Sequence, residues 1–152
     1  MNNDRVMDGS PLLAMLPRLR RYASALVGDP GAADDLVHDT LERFGQKRER
    51  GRQARDLREA LLVLMHRIHA DSAAYERSAA PVARGAHIDR ALQSLPLEQR
   101  KAILLAVLED MPYEQVAKIL GLPVDTVIGL LSQARAGLHI VMDGPGALAA
   151  IR

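Results

Sequence analysis

Apolar side chains recur at three- and four-residue steps in short blocks bounded by proline or glycine, a spacing that restricts the chain to helices. Leu12, Leu13, Leu16, Leu19, Ala23 and Leu26 make one stripe, opened by Ser10-Pro11 and closed by Gly28. Serine serves well as an N-cap, and proline at the first helical position has no donor to lose. Pro17 lies inside this predicted helix and implies a kink. Asp29-Pro30 repeats the start signal. Ala33, Leu36, Val37, Thr40, Leu41 and Phe44 follow as a second stripe, which Gly45 and a basic stretch are expected to stop. A third helix is predicted from Asp56 to about Arg77, with Leu57, Leu61, Leu64, Met65 and Ile68 inward. The three can bury one another's faces, and none would be stable alone.

Ser78–Ile88 (SAAPVARGAHI) is small, weakly apolar and interrupted by proline and glycine, as a linker would be. Beyond it the pattern predicts helices at Asp89–Ser94, Leu97–Leu108, Tyr113–Leu120 and Val124 to about Val141, closed by Asp143-Gly144-Pro145-Gly146. The expectation is an all-α chain of two small helical bundles: a domain over 1–77, a flexible linker over 78–88, a second domain over 89–142 and a tail over 143–152. Composition agrees, since only 3% of the residues are aromatic, which leaves little for a β-sandwich or a stacking platform.

Other classes are excluded in the same way. The chain has no cysteine, so disulfides, thiolate metal sites and thiol catalysis are ruled out. The longest apolar runs, Ala60–Met65 and Ala102–Leu108, fall far short of the roughly 20 residues that span a bilayer. Met1-Asn2-Asn3-Asp4 lacks the basic and apolar regions of a signal peptide. A soluble, cytoplasmic protein without membrane insertion is expected. His66 and His69, at i and i+3, and Asp35 with His38 have the spacing of a metal-binding bundle, but facing helices supply no inward glutamate pair. Surface or half-buried histidines are the expectation, with no metal and no cofactor. No phosphate loop or nucleophile elbow is present, so no catalytic activity is expected.

The net charge of +1 hides an asymmetry. Residues 1–88 carry 14 Lys/Arg against 12 Asp/Glu, whereas residues 89–152 carry 6 against 7. Neither half has the balance of a self-sufficient duplex binder. Gln46–Arg55 stands out, with Lys47, Arg48, Arg50, Arg52 and Arg55 against Glu49 alone. It suits either nucleic-acid phosphates or a solvated linker.

Tyr113–Leu138 is the most specific segment. Ala117 is small where two helices must approach, Gly121 sits where a left-handed residue is needed, and Pro123 and Asp125 open the next helix. Val127 is expected to point back into the junction beside Ile119, Leu122 and Leu131. This spacing describes a helix-turn-helix, whose second helix can enter a major groove; a plain helical hairpin is the alternative.

With these residues in view, Ala91–Leu138 (ALQSLPLEQRKAILLAVLEDMPYEQVAKILGLPVDTVIGLLSQARAGL) resembles region four of the extracytoplasmic-function sigma factors of bacterial RNA polymerase. In that family an LPxxQR element, an apolar helix and an acidic-Tyr turn lead into the helix-turn-helix that reads the promoter −35 element. Leu16–Val27 and Ala33–Arg43 (ADDLVHDTLER) resemble region two, which docks on the clamp of the largest polymerase subunit, and Asp56–Asp71 resembles the helix that helps melt the −10 element. The resemblance implies an initiation factor, responsive to stress or another signal and controlled by an anti-sigma factor. It implies polymerase core contacts at Asp35, Asp39, Glu42 and Arg43, and single-stranded −10 contacts at Lys47, Arg48, Arg50, Arg52 and Arg55. Contacts to −35 duplex fall to Lys118, Thr126, Ser132, Gln133 and Arg135.

The chain also departs from the family pattern. Gly129-Leu130 stand where Ser-Arg is usual, Gln133 replaces an arginine, and Gly137 a frequent basic residue. Val124–Ile140 therefore sets Arg135 against Asp125 with net charge zero, which weakens promoter binding because duplex affinity comes largely from neutralising phosphates. Aromatics usual near Ala60 and Leu62 are missing, as is a basic run after Asp71. The competing expectation is a sigma-like interaction protein that binds an anti-sigma factor or polymerase without reading DNA, with Leu130 and Leu131 exposed for a partner helix. Such mimics usually carry a receiver domain, for which 152 residues leave no space.

Overall fold

The computed structural model describes residues 9–49, 56–71 and 87–143, and every element in them is helical. α1 spans Gly9–Val27, α2 Pro30–Glu49 and α3 Leu57–Asp71. α4 spans His87–Ser94, α5 Leu97–Ile103, α6 Tyr113–Leu120 and α7 Val124–Asp143. A π-helical segment, Leu104–Leu108, continues α5.

Several boundaries correct the sequence reading. α1 begins at Gly9, so Ser10 lies inside its first turn rather than capping it. α2 runs through Gly45 to Glu49, because good helix formers on both sides outweigh one glycine, which costs about 1 kcal/mol. α4 starts at His87, within the stretch read as linker. The rest of that stretch, and the expected end of α3 near Arg77, lie outside the described residues.

The start and stop signals act as their chemistry requires. Gly28 ends α1 at φ +87°, with its N–H on the Ser24 carbonyl at 2.8 Å. Asp29 caps α2, accepting from the Ala32 N–H at 2.8 Å, and Asp56 caps α3, accepting from the Glu59 N–H at 3.2 Å. Leu19, Tyr22, Leu26, Leu36, Leu61 and Met65 are fully buried among α1–α3. Leu105, Val116, Val127, Leu131 and Ala134 are buried among α5–α7, and one hydrophobic cluster runs unbroken through both sets. The second stripe's odd member, Thr40, is buried because its hydroxyl donates to the Leu36 carbonyl at 2.7 Å.

Two histidines overturn the surface expectation. His66 and His69 are buried, at 6% and 3% exposure. His66 Nε2 shares a 2.8 Å hydrogen bond with the Tyr22 hydroxyl, and the two rings meet edge to face. Burial first, then the nearby Lys101 and His69, pushes the His66 pKa down to about 3, so its imidazole is neutral. His38 is exposed, 3.9 Å from Glu42.

Candidate nucleic-acid interface and the junction behind it

The corner between α6 and α7 is built by small and branched residues. α6 stops at Gly121, whose φ of +67° is left-handed and whose N–H reaches the Ala117 carbonyl. The Leu122 N–H reaches the same carbonyl at 3.0 Å, and the two helices then diverge by 102°. Val116, Ala117, Ile119, Val127 and Leu131 fill the corner. This leaves Thr126, Gly129 and Gln133 exposed along one line of α7, with Ile128, Ser132 and Arg135 beside them at helical spacing.

All four α7 residues expected to face duplex DNA are therefore exposed. Arg135 donates to the Tyr113 hydroxyl at 3.4 Å, and Gln133 Oε1 accepts from Gln99 Nε2 at 3.2 Å. Lys118 is exposed on α6, but its Nζ lies 3.0 Å from a Glu59 carboxylate oxygen of α3. Leu130 and Leu131 are not the exposed pair expected: Leu131 is core and Leu130 packs half-buried against it. The large apolar side chain that α7 does expose beside Thr126, Ser132 and Arg135 is Ile128.

The two glycines of α7 differ in kind. A Cβ at Gly129 would enter open space, whereas one at Gly137 would lie 2.8 Å from Leu95 Cδ2. Close approach of α7 to Leu95 therefore accounts for Gly137, and nothing in its surroundings requires Gly129.

On α2, Asp35, Glu42 and Arg43 are exposed and Asp39 is half-buried, at spacings that place them along one side of the helix. Asp35 also rims an open groove of about 720 Å³ with Leu16, Arg20 and Leu41. Lys47 and Arg48 fall in the last turn of α2, while Arg50, Arg52 and Arg55 lie outside the described residues. Leu62, near which the family usually carries an aromatic, is core at 1% exposure.

The junction between α1–α3 and α4–α7 holds polar residues that the sequence did not single out. The Arg100 guanidinium donates to four backbone carbonyls: Leu26 at 2.8 Å, Leu92 at 2.9 Å, and Gln93 and Leu95 at 3.0 Å each. Gln93 donates to the Ala25 carbonyl at 2.7 Å. A Cβ on Gly28 would stand 2.7 Å from the Gln93 amide and displace it from the Ala25 carbonyl, while the φ of +87° is what favours glycine there. From α3, Arg58 donates to the Glu109 carbonyl at 3.1 Å and lies 3.9 Å from its carboxylate. Glu109 is 1% exposed, and neither carboxylate oxygen has a hydrogen bond among the described residues. Beside it Asp110 takes a φ of +51°, which turns the chain toward α6.

Comparison with known proteins follows this division. The model for the sigma2 domain of PhyR matches residues 12–66, and that for sigma-70 region 4 matches residues 86–138. The extracytoplasmic-function RNA polymerase sigma factor EcfG of Rhodopseudomonas palustris (strain TIE-1) is 28% identical over 90% of this chain and 85% of its own. The sigma factor RpoE from Bartonella quintana, solved with the anti-sigma factor NepR, superposes with a TM-score of 0.74 at 25% identity, over 90% of this chain and 96% of that one. The chain is a homologue of the extracytoplasmic-function sigma factor EcfG and carries a sigma2-like and a region-4-like module in the same order. The PhyRSL–NepR complex from Sphingomonas sp. Fr1 also matches, with a TM-score of 0.68 at 25% identity over 87% of each chain.

In this family, which is not one of enzymes, α1–α3 correspond to region two and α4–α7 to region four. The region-four helix-turn-helix was readable from Ala117, Gly121 and Val127. Arg100 ends the LPxxQR element, yet its acceptors come from α1, α4 and the turn after it, so no local signal announces its role. No single helix among the described residues is long and apolar enough to cross a membrane.

Proposed function

We propose that this chain is a cytoplasmic sigma factor that brings RNA polymerase core to specific promoters and is held in check by an anti-sigma factor. The observation that carries this reading is the exposed polar face of α7, Thr126, Ser132, Gln133 and Arg135, on a helix-turn-helix packed against a region-two module. Asp35, Asp39, Glu42 and Arg43 of α2 are the residues we assign to the polymerase clamp, by charge complementarity. Lys47, Arg48, Arg50, Arg52 and Arg55 are assigned to the opened −10 strand, where cations follow phosphates. Polymerase supplies much of the binding energy, because Val124–Ile140 carries no net charge. EcfG and RpoE support the initiation role, and the NepR complexes of RpoE and PhyRSL support control by an anti-sigma factor. The binding and positioning of macromolecules account for this function without catalysis or a cofactor.

A second reading, an interaction protein that captures an anti-sigma factor without reading DNA, is favoured by that same neutral helix and by the match to the PhyR sigma2 domain. Its apolar surface is not Leu130 and Leu131 but a groove of about 700 Å³ with Leu92, Ile103, Val107 and Leu138 in its walls. Run-off transcription with purified core polymerase and genomic promoter fragments separates the two. Promoter-dependent transcripts support the sigma factor; core binding with no transcript from any fragment supports the interaction protein.

A further inference from the structure

Gln133 and Arg135, both exposed on α7, are each tied to another helix of region four. Gln133 Oε1 accepts from Gln99 Nε2 of α5 at 3.2 Å, and Arg135 donates to the Tyr113 hydroxyl of α6 at 3.4 Å. Gln99 is half-buried on a helix that packs against α7, whereas Gln133 is exposed. The bond therefore runs from the anchored partner to the exposed one and sets which way the Gln133 amide faces. One lone pair of its oxygen is taken; the other lone pair and both Nε2 hydrogens remain for a ligand.

We propose that Gln99 is a positioning residue that makes Gln133 an adenine reader, so that α7 selects A·T over G·C pairs in duplex DNA. The inference rests on reading α7 as the duplex-facing helix and names the bases that it takes. In the major groove adenine presents an N7 acceptor beside an N6 donor, the complement of one amide N–H and one amide oxygen. Guanine presents two acceptors, N7 and O6, so an amide whose oxygen is held in place sets oxygen against oxygen. A glutamine free to turn its terminal amide escapes that clash, which is why the bond from Gln99 matters.

The rest of the face agrees. Arg135 is the one Lys or Arg of α7, the residue types that pair best with guanine, and its guanidinium is engaged by Tyr113. Ile128 is 46% exposed on the opposite flank from Gln133, and the apolar feature of the major groove is the thymine methyl. Gly129 lies between those flanks by helical period and has no side chain to hold a duplex away from them.

The experiment uses the full-length chain bound to purified core polymerase, with core polymerase alone as reference, on a pool of random-sequence duplexes. Enrichment no greater than with core alone overturns the duplex-facing reading of α7 and the inference with it. In enriched duplexes the parent chain should prefer adenine to guanine about tenfold at one position, and Gln133→Ala should lose that preference. Gln99→Leu keeps Gln133 but frees its amide, and should lower the preference to about twofold with little change in total duplex affinity. Parent-like thermal melting of Gln99→Leu separates positioning from folding. At the same position 7-deazaadenine, which lacks the N7 acceptor, should weaken the parent about fivefold and leave Gln133→Ala unaffected. Deoxyuridine in place of thymine should weaken the parent about threefold and leave Ile128→Ala unaffected. Guanine at the enriched position, or an adenine preference that survives either glutamine substitution, overturns the inference while leaving α7 on the duplex. Insensitivity to deoxyuridine overturns the part given to Ile128.

Discussion

Arg100 of α5 donates to the carbonyl of Leu26, one residue before the end of α1, at 2.8 Å, and through that bond the last turn of a region-two helix is satisfied by a region-four side chain. The same guanidinium serves Leu92, Gln93 and Leu95, so it also finishes α4. Helix ends leave carbonyls without intrahelical partners, and one planar fork of five donors serves four carbonyls at or just beyond two such ends.

Replacing that fork should be costly. Arg100→Lys keeps the charge but offers a single ammonium, which cannot reach carbonyls spread over three elements. We expect a loss of about 3 kcal/mol, from charged hydrogen bonds broken and carbonyls left buried. Urea denaturation monitored by circular dichroism measures it; a loss below about 1 kcal/mol would mean that water replaces the guanidinium.

Stability should rise with pH through the acid range. His66 takes up a proton near pH 6.5 in the unfolded chain but only near 3 when folded, so between those values the unfolded state binds the extra proton. The contribution is complete above 6.5 and is lost as pH falls, by up to about 1.4 kcal/mol per pH unit. Denaturation midpoints of the parent chain and of His66→Leu with Tyr22→Phe, compared from pH 4 to 7, isolate it: the double variant should show a shallower dependence. Equal slopes would contradict a buried neutral imidazole.

The two α7 glycines should respond with opposite signs. Gly129→Ala adds a methyl to open space on an exposed helix and should stabilise by about 0.5–1 kcal/mol. Gly137→Ala must push Leu95 aside from 2.8 Å and should destabilise by about 1–3 kcal/mol. Thermal melting of the two single variants settles the pair.

Duplex affinity should be weak and its salt dependence shallow. Arg135→Ala should lower the slope of log affinity against log salt by about one, and Gln133→Arg should raise it by about one, since each changes one phosphate contact. Fluorescence anisotropy at several salt concentrations reads this directly. A slope unmoved by both would place the DNA contacts elsewhere than α7.

Local signals carried most of the helix order. Asp29, Gly28, Asp56 and Gly121 act at the positions where their backbone preferences put them, because capping and left-handed turns depend on neighbours within four residues. Gly45 misled, since a single glycine is a weak stop when helix formers surround it. The exposed face of α7 was legible for a related reason. Val127, Leu131 and Ala134 mark the buried side, so the exposed side follows from helical period.

What the sequence determined by itself was therefore the inventory of helices, their faces and the helix-turn-helix, all consequences of spacing and of a few special residues. Tertiary structure alone decided that His66 meets Tyr22, that Gly137 makes room for Leu95, and that Arg100, Glu109 and Glu59 join region two to region four. Those pairs lie far apart along the chain, and a polar or small side chain shows no local sign of the partner that will bury it. Their roles exist only once the helices have packed, when each donor, acceptor and void is set by residues from another element.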